Sequence, residues 1–148
     1  MPVNFPLYLS LLRLSAYYGD SFKVECPTGS GKQLTLFQVA QELAERLIGT
    51  LVRNGSGRRP VFGGAEKFQT DPHWRDNVLF YEYFHGDTGA GVGASHQTGW
   101  TGCIARVIQA NGAFEVKDLA DKNVEEKAVK LGLGEKDVEA AVVAAATK

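Results

Sequence analysis

Apolar residues recur at helical spacing over residues 2–18, where Val3, Leu7, Leu11, Leu14 and Tyr18 form one stripe and Tyr8, Leu9 and Leu12 widen it. So wide an apolar face predicts a core helix buried on more than one side. Gly19-Asp20 ends it, and FKVEC predicts a short strand ahead of the turn residues in PTGSGK. The strongest pattern comes next. Leu36, Val39, Ala40, Leu43, Leu47, Ile48 and Leu51 keep the helical period over 35–53, Thr35-x-x-Gln38 reads as a capping box at its start, and Asn54-Gly55 stops it. The turn-rich run NGSGRRPVFGGAEKFQTDP predicts a long loop of the kind that carries function or lies over a site. Asp71-Pro72 then opens a third predicted helix over 74–84. After the small-residue loop HGDTGAGVGASHQTG, a fourth is predicted over 98–110, and Gly99 and Gly102 in its first turn imply close packing there.

Beyond Asn111-Gly112 the pattern changes. Residues 115–148 contain no aromatic side chain and consist mainly of Lys, Asp, Glu, Val and Ala around a Leu131-Gly132-Leu133-Gly134 break. This divides the chain into a core-forming part, 1–113, and a charged, Ala/Val-rich helical tail of uncertain order, 114–148. Composition supports a soluble globular chain: 44% of the 148 residues are hydrophobic and 22% charged. With 16 Lys+Arg against 17 Asp+Glu, no excess positive field exists to hold nucleic acid or an acidic membrane surface. The apolar start VNFPLYLSLLRL is too short to span a bilayer and lacks a basic leader and a cleavage site, which points to the cytoplasm. Cys26 and Cys103 match neither a metal-ligand spacing nor a disulfide framework, so two reduced thiols are expected.

Several motifs invite functional readings that their contexts weaken. Gly31-Lys32 after a predicted strand resembles a phosphate-cradling loop, but Cys26 stands where the first glycine belongs and Gln33 where a hydroxyl would bind magnesium. GAGVGA fits a dinucleotide fingerprint by pattern alone, since no βαβ unit surrounds it. Asp87-Thr88-Gly89 resembles the aspartic-protease turn, yet only one copy is present and helical periodicity is read on both sides. Asn54-Gly55-Ser56 is a glycosylation sequon without a secretory leader. His73, His85 and His96 are not at helical zinc-ligand spacing, so no metal or other cofactor is expected and structural hydrogen bonding is the simpler role. Glu82 is the most informative position, set among Phe80, Tyr81, Tyr83 and Phe84 at the end of a predicted helix. A carboxylate in an aromatic cleft suits general acid or base work, and aromatic rings stack on sugar faces. The alternative is a carboxylate that points to water from an otherwise buried helix.

The blocks FKVECPTGSGK, GGAEKFQTDPHWRD, FYEYFHGDTGAG and ASHQTGWTG resemble the C-terminal part of the catalytic domain of glycoside hydrolase family 63, the mannosyl-oligosaccharide glucosidases (processing α-glucosidase I) and their relatives. The resemblance runs over about 1–108. It implies an all-α fold, a partial (α/α) toroid of helical hairpins with long Gly-rich loops, and inverting hydrolysis of an α-glucoside or oligosaccharide by two carboxylates. By the resemblance Glu82 is the general base, with Gly99-Trp100 downstream of it. His73, Trp74, His96 and Trp100 then lie near the sugar as stacking or hydrogen-bonding groups. Family catalytic domains are far larger, however, and their general acid, an aspartate, lies in an earlier part with no counterpart here. The expected function is therefore that of a fragment carrying the base without the acid, inactive alone. The alternative is a non-catalytic structural remnant that self-associates or packs against missing helices.

Overall fold

Helix α1, Asn4–Tyr18, forms where the apolar stripe predicts it, but the stripe is not its buried face. The computed structural model describes residues 1–113, and the predicted tail 114–148 lies outside the described residues. Tyr8 and Ser15, two turns apart on one side of α1, are buried, whereas Val3 (78% exposed), Leu7 (50%), Leu14 (44%) and Tyr18 (47%) face solvent. The predicted core helix is thus corrected to a helix covered on one side. Its Tyr18 ring finds a partner beyond the helix end, stacked on Phe22 at 4.9 Å.

The described chain forms two compact units. One comprises Leu7–Glu42 with residues 109–113. In it the predicted strand is β1, Lys23–Glu25, paired antiparallel with β2, Gln33–Thr35, in the register Lys23↔Thr35, Val24↔Leu34 and Glu25↔Gln33. The tip turns through Gly29 (φ 80°) and Gly31 (φ 71°), and the Gly31 N–H donates to Glu25 Oε1 at 2.6 Å. PTGSGK therefore leads back into a second strand and spends one of its amides on the carboxylate of Glu25 in β1. A phosphate-cradling loop instead opens a helix with its amides turned toward the ligand.

Helix α2, Leu36–Gly49, starts directly after β2 with the predicted capping box. Gln38 N–H donates to Thr35 Oγ1 (3.3 Å) while Thr35 N–H donates to Gln38 Oε1 (2.9 Å), so two amides that the helix leaves unpaired are satisfied reciprocally. Its buried face runs through Leu36, Phe37, Ala40 and Ala44, with Leu43, Leu47 and Ile48 half-buried. The helix stops four residues short of the predicted end, where Thr50 Oγ1 donates to Leu47 O at 2.7 Å and Leu51 turns inward.

The other unit comprises Met1–Pro6 and Leu43–Ile108. The long loop predicted after Asn54 contains a 3-10 turn, Pro60–Phe62, and a short helix α3, Glu66–Thr70. Val61 and Phe62 enter the core with Leu51, Ile104 and Val107. Full burial of an aliphatic side chain such as Ile104 contributes about 1.5–3 kcal/mol, which is how so loop-rich a unit holds together. Buried Gln69 ties the loop to α3: its Oε1 accepts the Arg59 N–H (3.0 Å), and its Nε2 donates to Arg59 O (2.9 Å) and Gly63 O (3.3 Å). Phe68 stacks on Phe62 and meets Trp74 edge-on, both at 5.5 Å.

Residues 74–84 are not a helix. Trp74 and Arg75 lie in a turn closed by their N–H groups on Asp71 O, and the chain then extends into β3, Tyr83–Phe84, paired antiparallel with β4, Gly91–Val92. Short apolar runs do not distinguish the two periods, and a run as aromatic as LFYEYF fits a pleated surface better than a helix. The fourth helix starts six residues late, as α4, Ile104–Ala113, because the stretch containing Gly99 and Gly102 folds as a tight turn. These two differences overturn the all-α partial toroid. Among the described residues the architecture is mixed, four α-helices with two small antiparallel sheets. No described helix is long and apolar enough to cross a membrane.

Candidate functional site

Glu82 lies at a bend just before β3, and the return chain pairs with the residues around it. The Glu82 N–H donates to Ala94 O (2.8 Å), Phe80 forms a parallel bridge with His96, and the Gln97 N–H donates to Phe80 O (2.8 Å). Gln97 O then accepts from the N–H groups of Trp100 (3.2 Å) and Thr101 (2.8 Å), closing a turn whose side chains come back onto the same segment. Trp100 Nε1 donates to Glu82 O at 2.9 Å, and the buried Thr101 hydroxyl donates to Tyr81 O. Main-chain groups on both sides of Glu82 are thus held by the turn that carries Trp100.

The Glu82 side chain is exposed, so the predicted helix-end position in an aromatic cleft is corrected to an exposed bend just before β3. Its Oε2 accepts the Ala94 N–H at 3.3 Å, and its Oε1 has no hydrogen-bond partner among the described residues. Gly93 makes this approach possible. It has φ 78°, and a Cβ there would lie 2.8 Å from Glu82 Oε2 and 2.7 Å from Tyr83 Cε1. Tyr83 and Trp100 are about half exposed.

Of the predicted site residues, Glu82, His96 and Trp100 share this cluster. His73 and Trp74 sit on the turn after α3. There the His73 N–H donates to Asp71 Oδ1 (2.8 Å), Asn77 Nδ2 donates to His73 O (2.7 Å), and Lys67 Nζ stands 5.0 Å from the Trp74 ring centroid. Asp87-Thr88-Gly89 forms the tip of the β3–β4 hairpin, so its flanks are strands and not the predicted helices. His85 Nδ1 accepts the Asp87 N–H at 3.3 Å. Both cysteines are unbridged thiols, and burial raises the pKa of Cys103, whose Sγ donates to Trp100 O at 3.3 Å. No three His, Cys, Asp or Glu side chains among the described residues gather where they could hold a metal ion.

A second charged cluster has no counterpart in the sequence reading. Asp76 Oδ1 lies 3.0 Å from Arg53 Nη2 and 3.8 Å from Arg59 Nη2, and its Oδ2 lies 3.3 Å from Arg75 Nε. The hydrogen bond from Arg53 leads in holding the Asp76 carboxyl below the ordinary carboxylate range. Beside it Arg58 pairs with Glu66 at 2.7 Å. The signal available in the sequence was Arg58-Arg59 inside a turn-rich loop, together with Arg75-Asp76. Neither indicates that residues more than twenty positions apart meet at one carboxylate.

Comparison with known proteins finds the uncharacterized protein YMR196W of Saccharomyces cerevisiae, 49% identical over 113 residues. The match covers 75% of this chain and 10% of the yeast protein, so the chain spans about a tenth of the length of the curated relative it matches. No family model matches the chain, and no solved structure matches it.

Proposed function

We propose that this chain is a segment of an inverting α-glucosidase-like glycoside hydrolase in which Glu82 is the general base. The observation that carries the reading is the presentation of its carboxylate: the side chain is exposed, Oε2 is anchored by a backbone amide, and the main-chain oxygen of the same residue is held by the Trp100 indole. A base needs that combination, because it must be held in place and yet reach a water. Trp100 supplies a stacking face and His96 a hydrogen-bonding group on the paired strand segment. His73 and Trp74 join the reading only through the resemblance. The general acid must come from elsewhere in a longer protein. Asp76 is unsuited to the role, since Arg53 and then Arg75 favour its ionised form whereas an acid must hold its proton near neutrality.

The test is binding by the 148-residue chain. Maltotriose is expected to change tryptophan fluorescence saturably, with affinity falling roughly tenfold in Trp100→Ala and less in Trp100→Phe, which retains a ring. Absence of saturable binding, or equal affinity in Trp100→Ala, rejects the reading.

A second reading, a non-catalytic and self-associating chain, is favoured by one observation: Leu7, Leu14 and Tyr18 on α1 are solvent-exposed. Exposed apolar side chains on one helix can recruit a partner. On this reading the chain forms homo-oligomers at micromolar concentration, and Leu7→Lys with Leu14→Lys returns them to monomer. Light scattering that finds the unsubstituted chain monodisperse and monomeric rejects it.

A further inference from the structure

The arginines of the 53–76 region, which the proposed hydrolase does not use, are placed with more care than a surface ion pair requires. Exposed pairs usually contribute little, and their long side chains are mobile. Here two of the three guanidiniums on Asp76 are pinned by main-chain carbonyls. Arg53 Nη1 donates to Gly57 O (2.8 Å) and its Nη2 to Arg75 O (3.3 Å), while Arg59 Nη1 donates to Leu51 O (2.8 Å). The donors outnumber the acceptors. Arg75 Nη1 and Nη2 donate to no group among the described residues, and Arg59 Nε is buried without a partner. Three guanidiniums around one carboxylate leave a net charge of +2, and the neighbouring Arg58–Glu66 pair is neutral, so it does not offset this.

We infer that Arg53, Arg59 and Arg75 form a binding site for a phosphate group of a small molecule, with Asp76 as a built-in competitor that keeps the guanidiniums ordered when the site is empty. The charge selects phosphate over carboxylate. A phosphate monoester carries about −1.5 to −2 at neutral pH and three acceptor oxygens, which matches the surplus of two charges, whereas a carboxylate neutralises only half of it. Planar forks fixed in advance also suit oxyanion recognition, because little side-chain freedom is lost on binding. A nucleic acid is disfavoured by the chain's net charge of −1.

Isothermal titration of the 148-residue chain at low ionic strength tests this, with inorganic phosphate and glycerol phosphate as probes and acetate as the monoanion control. Both phosphates are expected to bind at one site, more tightly than acetate and more weakly as salt is added. Tighter binding of glycerol phosphate than of inorganic phosphate identifies an ester as the ligand, and the reverse order identifies the free ion. Arg75→Gln, which removes an exposed side chain that holds no main-chain carbonyl, should weaken phosphate binding at least tenfold. Asp76→Asn should strengthen it several-fold by removing the competing charge. A purely structural ion cluster predicts the opposite for Asp76→Asn, a less ordered site with no gain in affinity. Phosphate that binds no better than acetate, or that is unaffected by Arg75→Gln, overturns the inference. If Asp76→Asn fails to fold by circular dichroism, Arg75→Gln alone decides.

Discussion

In a full-length protein carrying this segment, Glu82→Gln is expected to lower α-glucoside turnover by about 10²–10⁴-fold, the usual contribution of a general base. The substitution is a clean one because of how the side chain is held. Its anchoring contact is an amide donating to Oε2, and a glutamine oxygen accepts the same bond. The main-chain bonds of Glu82 to Ala94 O and Trp100 Nε1 do not involve the side chain. Circular dichroism and melting temperature should therefore remain those of the unsubstituted protein while turnover falls, and a variant with near-native turnover rejects Glu82 as base. The isolated 148-residue chain should not turn over p-nitrophenyl α-glucoside at an enzymatic rate. Inverting hydrolysis needs two carboxyl groups roughly 6.5–9.5 Å apart, the acid on the leaving oxygen and the base on a water at the opposite face of the sugar. The nearby aspartates are otherwise engaged: Asp76 by three arginines, and Asp71 by the His73 N–H. Turnover by the isolated chain that Glu82→Gln abolishes would instead show that Asp87 or another carboxyl has been recruited as the acid.

The N-terminal helices were legible in the sequence because local rules decide them. The Thr35/Gln38 box and the period through Ala44 specify α2 within two turns, and FKVEC followed by glycines specifies β1. Legibility failed where partners distant in sequence make the decision. LFYEYF has the composition of a strand, but its extended form depends on Ala94, His96 and Gln97 returning to pair with it. The all-α toroid that the resemblance implies fails at these same residues. For the same reason Glu82, expected at a helix end, lies instead just before β3. Its neighbours in the sequence are aromatic, yet what positions it is an amide twelve residues on and an indole eighteen residues on. The apolar stripe of α1 misled in another way: periodicity reports which residues share a face, not whether anything covers that face.

Gly102→Ala and Gly99→Ala, two substitutions that the sequence treats alike, are expected to diverge sharply. Both glycines were read as the first turn of one helix, where alanine replaces glycine favourably by about 0.4–1 kcal/mol through the unfolded chain. At Gly99 the space is open and the backbone is not in the left-handed region, so alanine should be neutral or slightly stabilising. At Gly102 an added Cβ runs into the main-chain carbonyl of Thr98, which no rotamer change relieves. The carbonyl belongs to the turn in which Gln97 O receives the Trp100 and Thr101 amides, and that turn delivers the Thr101 hydroxyl to Tyr81 O and the Trp100 indole to Glu82 O. Moving Thr98 to make room disturbs all four bonds. Overpacking of this kind costs about 1–3 kcal/mol or more. At roughly 2–8 °C per kcal/mol for domains in this size range, the Gly102→Ala melting temperature should fall by several degrees at least. Because the damage passes through Trp100, its indole fluorescence should shift toward that of a solvated ring. Thermal melts of the two variants side by side check both signs, and a Gly102→Ala chain as stable as Gly99→Ala would mean that residues 97–103 do not form this turn.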